Sequence, residues 1–223
     1  YEVGDAFMAY AGQDTSKLKK FKRPLLLLNP DIVVVYDELE AASPSTWKWL
    51  IHSPRKISLD TAKNEFYCAL GNAAAASSFF SSQPVKWGLT DTFAVAVDNW
   101  VGSRDENGKL YGSDKEWHLT AATQPSEKMR FLAVIQLRTG SQQNNRAANY
   151  HFNDQKELVV GNWTIKAQLD ASKPAIIEAH RNDGKAAFVS GGKKLETGGG
   201  PYTGNTEGSA KLGEQLNGKW SYQ

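Results

Sequence analysis

The fold of this chain is decided by residues 21–41, which read FKRPLLLLNPDIVVVYDELEA. Two apolar runs, residues 25–28 and 32–36, are separated there by Asn29, Pro30 and Asp31. Short continuous apolar runs bounded by turn residues are typical of strands that are buried on both faces. The interrupted stretch is too short to cross a bilayer, which needs roughly 20 apolar residues. We therefore predict two strands in the middle of a thick β sandwich.

The rest of the chain continues this pattern of strands and tight turns. Residues 93–97 and 131–137 are further apolar or β-branched runs. From Trp163 to Leu169 apolar and polar residues alternate, which places the apolar set on one face of a strand. Gly161-Asn162 is typical of a type II′ hairpin turn. Type I′ signals occur at Asn107-Gly108, Asp183-Gly184 and Asn217-Gly218.

Evidence for helix is confined to residues 72–78, which contain four consecutive alanines. This stretch suits one or two helical turns, but the flanking Gly71 and the following Ser-Phe run favour a loop or a strand edge equally. No longer segment combines a 3.6-residue period with capping signals. The predicted fold class is therefore all-β, an antiparallel β sandwich of stacked large sheets with little helix.

The domain organisation follows from the density of apolar strands. Residues 1–138 hold the densest set and are predicted to form the main sandwich. Residues 139–149 are polar and predict a surface loop or linker. Residues 150–223 supply the remaining strands, which either complete the sandwich or form a small second sheet. A core of this size is thin on its own, which favours the first arrangement.

Composition excludes several function classes. The formal net charge of +2 over 223 residues is too small to indicate a nucleic-acid binder by bulk electrostatics. Cys68 is the only cysteine, so neither an intrachain disulfide nor a Cys-based zinc site can form, and a buried packing role is expected. The chain begins without Met and as if within a strand, which predicts a processed chain or an excised piece.

Three blocks follow one another in the first 55 residues. Val3-Gly4-Asp5-Ala6 comes first, residues 21–41 come second, and Trp47-Lys48-Trp49-Leu50-Ile51-His52-Ser53 comes third. In this order they resemble the central β-sheet region of heparinase II/III-like polysaccharide lyases. That region has a Gly-Asp-Ala strand, an Arg before an apolar strand and a Pro-Asp turn, a Val-rich strand ending in Asp, and a Trp-x-Leu-x-His strand. Later segments resemble the family only in their strand content.

The resemblance implies one part of a two-part enzyme. Such lyases join an N-terminal α/α toroid to stacked antiparallel sheets and cleave uronic-acid polysaccharides by β-elimination. A base removes the proton beside the uronate carboxylate, which must first be neutralised, and most groups that do this come from the toroid. The implied partners are an acidic polysaccharide and the toroid domain, with neither a nucleic acid nor a membrane span. The resemblance also implies a bacterial origin and a periplasmic or secreted location.

The resemblance also implies a zinc site. Family members that bind zinc in the sheet region take ligands from an upstream His-x-His pair, from the Asp of Gly-Asp-Ala, and from the His of the Trp-x-Leu-x-His strand. The last two correspond to Asp5 and His52, while the His pair has no counterpart in this chain. Zinc usually takes at least three protein ligands, so the predicted site is incomplete. The alternative is a buried Asp5–His52 hydrogen bond without metal.

Other candidates have ordinary structural explanations. The basic residues of segment 17–23 either attract an acidic polysaccharide or form a solvated strand edge that resists edge-to-edge pairing. Tyr10 either packs in the fold or faces the cleft of an intact enzyme. His118 and His151, each beside an aromatic residue, either pack or belong to a sugar platform, and His180 is expected to be solvated.

A second class of function also fits. The chain has seven Trp residues, and exposed Trp faces stack on sugars, so a stand-alone carbohydrate-binding or adhesion sandwich is the alternative to the lyase. Trp47 and Trp49 lie on one face of a predicted strand, where core packing is expected.

Overall fold

The computed structural model describes residues 1–7, 17–92, 106–107, 116–191, 195–197, 200–202, 210–216 and 219–222. Within these residues the chain forms four sheets, all of them antiparallel, and a short 3₁₀ helix at Gly140–Asn144. The predicted all-β antiparallel class is confirmed. None of the helices in this part of the chain has the length and apolar character needed to cross a membrane.

The largest layer is a central sheet of seven strands. Its strands are β1 (Glu2–Asp5), β2 (Leu18–Leu28), β3 (Ile32–Ser45), β5 (Ser58–Asp60), β6 (Glu65–Leu70), β7 (Ala73–Ser81) and β10 (Ser126–Thr139). They are ordered β1-β2-β3-β10-β7-β6-β5. The two apolar runs of residues 21–41 therefore lie in neighbouring strands. Strand β10 pairs with β3 through residues 126–136 and with β7 through residues 131–139.

A three-stranded sheet covers one face of the central sheet. It contains β4 (Lys48–Ser53), β8 (Val85–Thr90) and β9 (Trp117–Thr123) in the order β4-β9-β8. Trp49 and Leu119 from this sheet pack against Val35, Phe79 and Phe131 of the central sheet.

A second seven-stranded sheet covers the opposite face. It contains β11 (His151–Phe152), β12 (Leu158–Val160), β13 (Trp163–Ala167), β14 (Ile177–Arg181), β15 (Ala186–Ser190), β18 (Ala210–Leu216) and β19 (Lys219–Tyr222), ordered as they occur in the chain. The remaining strands, β16 (Leu195–Thr197) and β17 (Gly200–Tyr202), pair with each other. Trp163 and Phe188 share one core with Leu26, Val34 and Leu132 of the central sheet.

Burial on both faces is confirmed for β3 and β10. Val34 and Val134 face the second sheet and are fully buried, while Ala133 is fully buried on the other face. In β2 the prediction holds for one face only, because Leu25 and Leu27 are 40% and 61% exposed. Neither belongs to the core beneath the three-stranded sheet, so that layer leaves the end of β2 open.

Tyr36 ties two layers together. Its side chain is buried in β3, and its hydroxyl donates a hydrogen bond to the Gln168 carbonyl oxygen at 2.6 Å. Burial raises the pKa of Tyr36 to about 12, although the nearby Arg130 acts to lower it. The hydroxyl therefore stays protonated and donates across the layer boundary at ordinary pH.

The structure defines the alanine stretch and the turn at Asp183-Gly184, which the sequence alone did not. The alanines of residues 72–78 lie in β7, a strand hydrogen-bonded on both sides, because pairing with β6 and β10 overrides the helix preference of alanine. Asp183-Gly184 is not the predicted type I′ pair, since only Gly184 has a positive φ, of 72°. The Gly184 N–H instead donates to the Arg181 carbonyl at 2.8 Å, so Asn182 and Asp183 are the central residues of the turn.

Other predictions have mixed outcomes. Gly161 has the positive φ, 55°, that the predicted turn between β12 and β13 requires. The run 93–97 and the turns at Asn107-Gly108 and Asn217-Gly218 lie wholly or partly outside the described residues.

Segment 139–149 is anchored from the sheet. Arg138 and Gln136, both 8% exposed, point from β10 toward this segment. The Arg138 guanidinium donates to the carbonyl oxygens of Asn145 and Ala147, the latter at 2.7 Å. The side-chain Nε2 of Gln136 donates to the Asn149 carbonyl oxygen at 3.0 Å, and its Oε1 accepts from the Asn149 backbone N–H at 3.1 Å. Two buried side chains thus set the path of this polar segment.

Candidate functional site

Asp5 is the last residue of the edge strand β1. Its side chain is exposed, and Lys22 is its partner in the ladder with β2. The Oδ1 atom accepts a hydrogen bond from the Phe7 backbone N–H at 3.0 Å. This is a local turn contact of a kind that Asp commonly makes at strand ends.

His52 lies in a different sheet, on β4 of the three-stranded layer. The burial pattern of this strand alternates, with Trp49 buried and with Lys48, Leu50 and His52 exposed. His52 is the ladder partner of His118 on β9, and their ring centroids are 4.8 Å apart. Its Nδ1 atom is 3.7 Å from Oε2 of Glu116, and both of these side chains are nearly half exposed.

The sequence predictions do not include the cluster that His52 forms with His118 and Glu116. The spacing of Glu116 and His118 places both on one face of a strand, which is a usable signal. Their approach to His52 depends on the β4–β9 register, which no single segment encodes. Imidazole and carboxylate are suitable zinc ligands. Across the described ranges, however, no three His, Cys, Asp or Glu side chains are grouped so that they can hold a metal ion.

The predicted pairing of Asp5 with His52 stays a prediction. The structure places Asp5 on the edge of the central sheet and His52 on the outward face of the small sheet. The contacts described for each are with other residues, namely Phe7 for Asp5, and Glu116 and His118 for His52. A zinc ion at Asp5 and His52 needs further ligands from outside the described residues.

The basic segment 17–23 faces an acidic partner strand. Arg23 binds Asp37 with two hydrogen bonds of 2.6 and 2.8 Å, and Lys20 contacts Glu38 at 2.9 Å. From the other side of β3, Arg130 also reaches Glu38, at 3.4 Å. Lys20 and Arg23, two of the five basic residues of this segment, are therefore matched by carboxylates within the central sheet.

Asp37 is the most deeply placed of these groups, with 1% exposure. Burial raises the pKa of its carboxyl, and the hydrogen bonds and charge of Arg23 oppose that rise. The guanidinium clamps both carboxylate oxygens, a geometry that combines charge with two directed hydrogen bonds. The pair therefore fixes the relative position of β2 and β3.

None of the tryptophans whose burial the structure describes is fully exposed. Trp49 and Trp163 are buried, and Trp47, Trp87 and Trp117 are half-buried. The indole N–H groups of Trp47, Trp87 and Trp163 donate to protein oxygens at 2.9–3.0 Å. These side chains serve the layer interfaces.

The other candidates occupy varied positions. His151 on β11 is exposed, and His180 on β14 lies 3.8 Å from Glu178. Tyr10 lies outside the described residues.

Comparison with known proteins identifies similar structures but no matching sequence family. No protein-family model matches the chain, and no curated protein does so. A heparinase III gene product with methylated lysines is similar over 74% of this chain, at 12% identity and a TM-score of 0.49. A second heparinase III is similar over 84%, at 17% identity and a TM-score of 0.46. A mutant heparan sulfate lyase from Pedobacter heparinus is similar over 81%, at 11% identity and a TM-score of 0.41.

The chain spans only 22–24% of the length of these lyases. At these identities and TM-scores the likeness assigns no activity to this chain.

Proposed function

We propose that this chain is the C-terminal β-sandwich portion of a bacterial heparinase II/III-like lyase that cleaves uronic-acid polysaccharides by β-elimination. In this proposal most catalytic groups belong to an N-terminal α/α toroid outside the chain, and the protein works in the periplasm or is secreted. The substrate is an acidic polysaccharide, toward which the exposed part of the basic segment contributes attraction.

The observation that carries the proposal is that the family-like blocks meet in space. Gly4 of the first block is the ladder partner of Arg23 in the second. Arg23 in turn binds Asp37, the acidic residue at the end of the Val-rich strand. The third block forms β4, whose Trp49 packs over the same face of the central sheet. Residues that carry the resemblance thus support one another physically.

The chemistry of β-elimination explains why the chain is proposed to act with another domain. The reaction needs a proton acceptor near the sugar ring and a group that neutralises the uronate carboxylate. Tyr36 does not suit this role, because it is buried and its raised pKa, about 12, keeps the hydroxyl protonated. Its hydroxyl is also engaged with the Gln168 carbonyl. The chain is therefore proposed to supply a scaffold and a flanking surface.

The proposal includes a zinc site only if further ligands complete the pair Asp5 and His52. Asp5 and His52 are the residues of this chain that would ligate it, together with groups from outside the chain. Bound zinc would supply positive charge and structural cross-linking at that position.

The test compares the chain with the longer protein encoded around it. We expect the purified chain to produce no unsaturated-uronate absorbance from heparin, heparan sulfate or alginate. The protein extended upstream of Tyr1 is expected to contain a helical region of several hundred residues, by analogy with the lyase family, and to produce this absorbance. Steady product formation by the chain alone contradicts the division of labour, and a signal peptide directly before Tyr1 supports the carbohydrate-binding alternative instead.

A further inference from the structure

A polar pocket of about 420 Å³ lies at one end of the boundary between the central and second sheets. Its apolar base includes Ile32, Val160 and Gly161, from the β2–β3 turn and the β12–β13 turn. Its rim consists of Asp31, Gln142, Asn145 and Asn149. A volume of this size falls within the usual range for small-molecule sites. Of the residues that line the pocket, only Asp31 and Ile32 lie in the sequence blocks that resemble the lyase family.

Buried groups preform the pocket wall. Arg138 and Gln136 line it from β10 and are more than nine-tenths buried. Arg138 donates to the Asn145 and Ala147 carbonyls and to Oε1 of Gln136 at 3.1 Å. Gln136 also clamps the Asn149 backbone. Because these contacts hold the rim segment in place, a ligand does not have to order it on binding.

The rim retains hydrogen-bonding capacity. The contacts described for Asn145 and Asn149 use their backbone groups. For Gln142 the described contact is its carbonyl, which accepts from the Asn145 N–H at 3.1 Å. Among the described residues, no protein group is seen to hydrogen-bond the side-chain amides of these three residues or the carboxylate of Asp31. Three residues that line one space thus carry amides, each able to donate and accept.

The charges indicate which ligand fits. Arg138 and Asp31 balance each other, and the guanidinium is already committed to carbonyl oxygens. The carboxylate at the rim repels an anion that enters. Hydroxyl and acetamido groups, by contrast, both donate and accept, as the amides do. We propose that this pocket binds a neutral saccharide unit, such as a hexose or an N-acetylhexosamine.

The test is a titration of the ¹⁵N-labelled chain with glucose, N-acetylglucosamine and glucuronate. We expect saturable shifts of amide signals at residue 31 and residues 142–149 with one or both neutral sugars, with a Kd on the order of 1–10 mM, typical of a few solvent-competed hydrogen bonds. Glucuronate is expected to bind at least about fivefold more weakly, since Asp31 repels it.

Matched variants locate the site. Gln142→Ala and Asn149→Ala each remove one rim amide from an exposed position and are expected to weaken neutral-sugar binding about fivefold, the scale of one lost hydrogen bond. Asn144 lies in the same 3₁₀ helix as Gln142 but does not line the pocket. The control variant Asn144→Ala should therefore bind the neutral sugars as tightly as the parent. Asp31→Asn should leave the Kd for the neutral sugars unchanged and should reduce the difference between that Kd and the Kd for glucuronate.

Three outcomes overturn the proposal. They are no localised shift with either neutral sugar, an effect of Asn144→Ala equal to that of Gln142→Ala, or parent binding of glucuronate as tight as that of the neutral sugars. None of them bears on β-elimination, which is measured with the extended protein, so the two proposals fail separately.

Discussion

Replacing Arg23 with Gln is expected to reveal how strongly the Arg23–Asp37 pair stabilises the central sheet. The variant leaves the Asp37 carboxylate, 1% exposed, without its two hydrogen bonds of 2.6 and 2.8 Å. Breaking a buried ion pair from one side costs about 3–5 kcal/mol. Because the Arg23 side chain is 41% exposed, water can partly replace it, and we expect about 2–3 kcal/mol. For a chain of this size, that corresponds to a Tm lower by roughly 4–12 °C.

The loss should depend on pH in a defined direction. Burial raises the pKa of Asp37 above its usual value of 3.8, and Arg23 opposes the rise. A carboxyl with a raised pKa in the folded state favours folding when protonated, and that contribution is lost as pH rises through the folded-state pKa. Without Arg23 the pKa rises further. The difference between variant and parent should therefore be small at acidic pH, where Asp37 is protonated in both, and largest near pH 7.5.

Thermal unfolding at several pH values is the assay, with Lys20→Gln as the matched control. Lys20 lies on the same strand and pairs with Glu38, but Glu38 is 17% exposed and keeps its contact with Arg130, so the loss of Lys20 should cost about 0–1 kcal/mol. The double variant Arg23→Gln with Asp37→Asn should recover part of the lost stability, since no buried charge remains. A variant that melts like the parent near pH 7.5, or that loses the same stability at every pH, refutes the reasoning.

Three further predictions concern other parts of the chain. Changing Lys17, Lys19 and Lys20 to Gln should move elution from a heparin column to lower salt, because fewer positive charges remain to attract the polyanion. This attraction depends on salt, since exposed charges are screened within about 10 Å at 0.1 M. An unchanged elution profile leaves these lysines a structural role. Without metal, His52→Ala should change the free energy of unfolding by less than about 0.5 kcal/mol, because the side chains of Asp5 and His52 are both exposed; with zinc added, a melting curve of the parent that a chelator does not change removes both residues from the metal proposal. Arg138→Met should raise amide hydrogen exchange across segment 139–149 while sparing β3, and uniform exchange throughout would show that the guanidinium contacts do not hold that segment.

The sequence predicted strands better than it predicted how they are layered. Residues 25–28 and 32–36 are apolar enough to indicate buried strands, and both lie in the central sheet. The alanines of β7 carry no such signal, since alanine favours helix and only pairing with β6 and β10 makes this stretch a strand.

The sequence predicts even less of the candidate sites, because their residues come from distant strands. The approach of His52 to Glu116 depends on the pairing of β4 with β9, which are more than 60 residues apart in sequence. The rim of the polar pocket likewise combines Asp31 with residues 142–149, and only the completed fold brings these together. Local periodicity reports burial, while register between distant strands is a property of the whole chain.

The position of β10 between β3 and β7 has a consequence for synthesis on the ribosome. The chain emerges from its N-terminus, so β3 and β7 are made long before Ser126–Thr139 arrives to pair with both. Until then each presents an unpaired edge beside apolar side chains, the arrangement that invites pairing with a neighbouring nascent chain. Such distant pairing also slows folding, because the intervening loop must close first. A nascent chain stalled before residue 126 should therefore recruit chaperones, and one released after Thr139 should need them less.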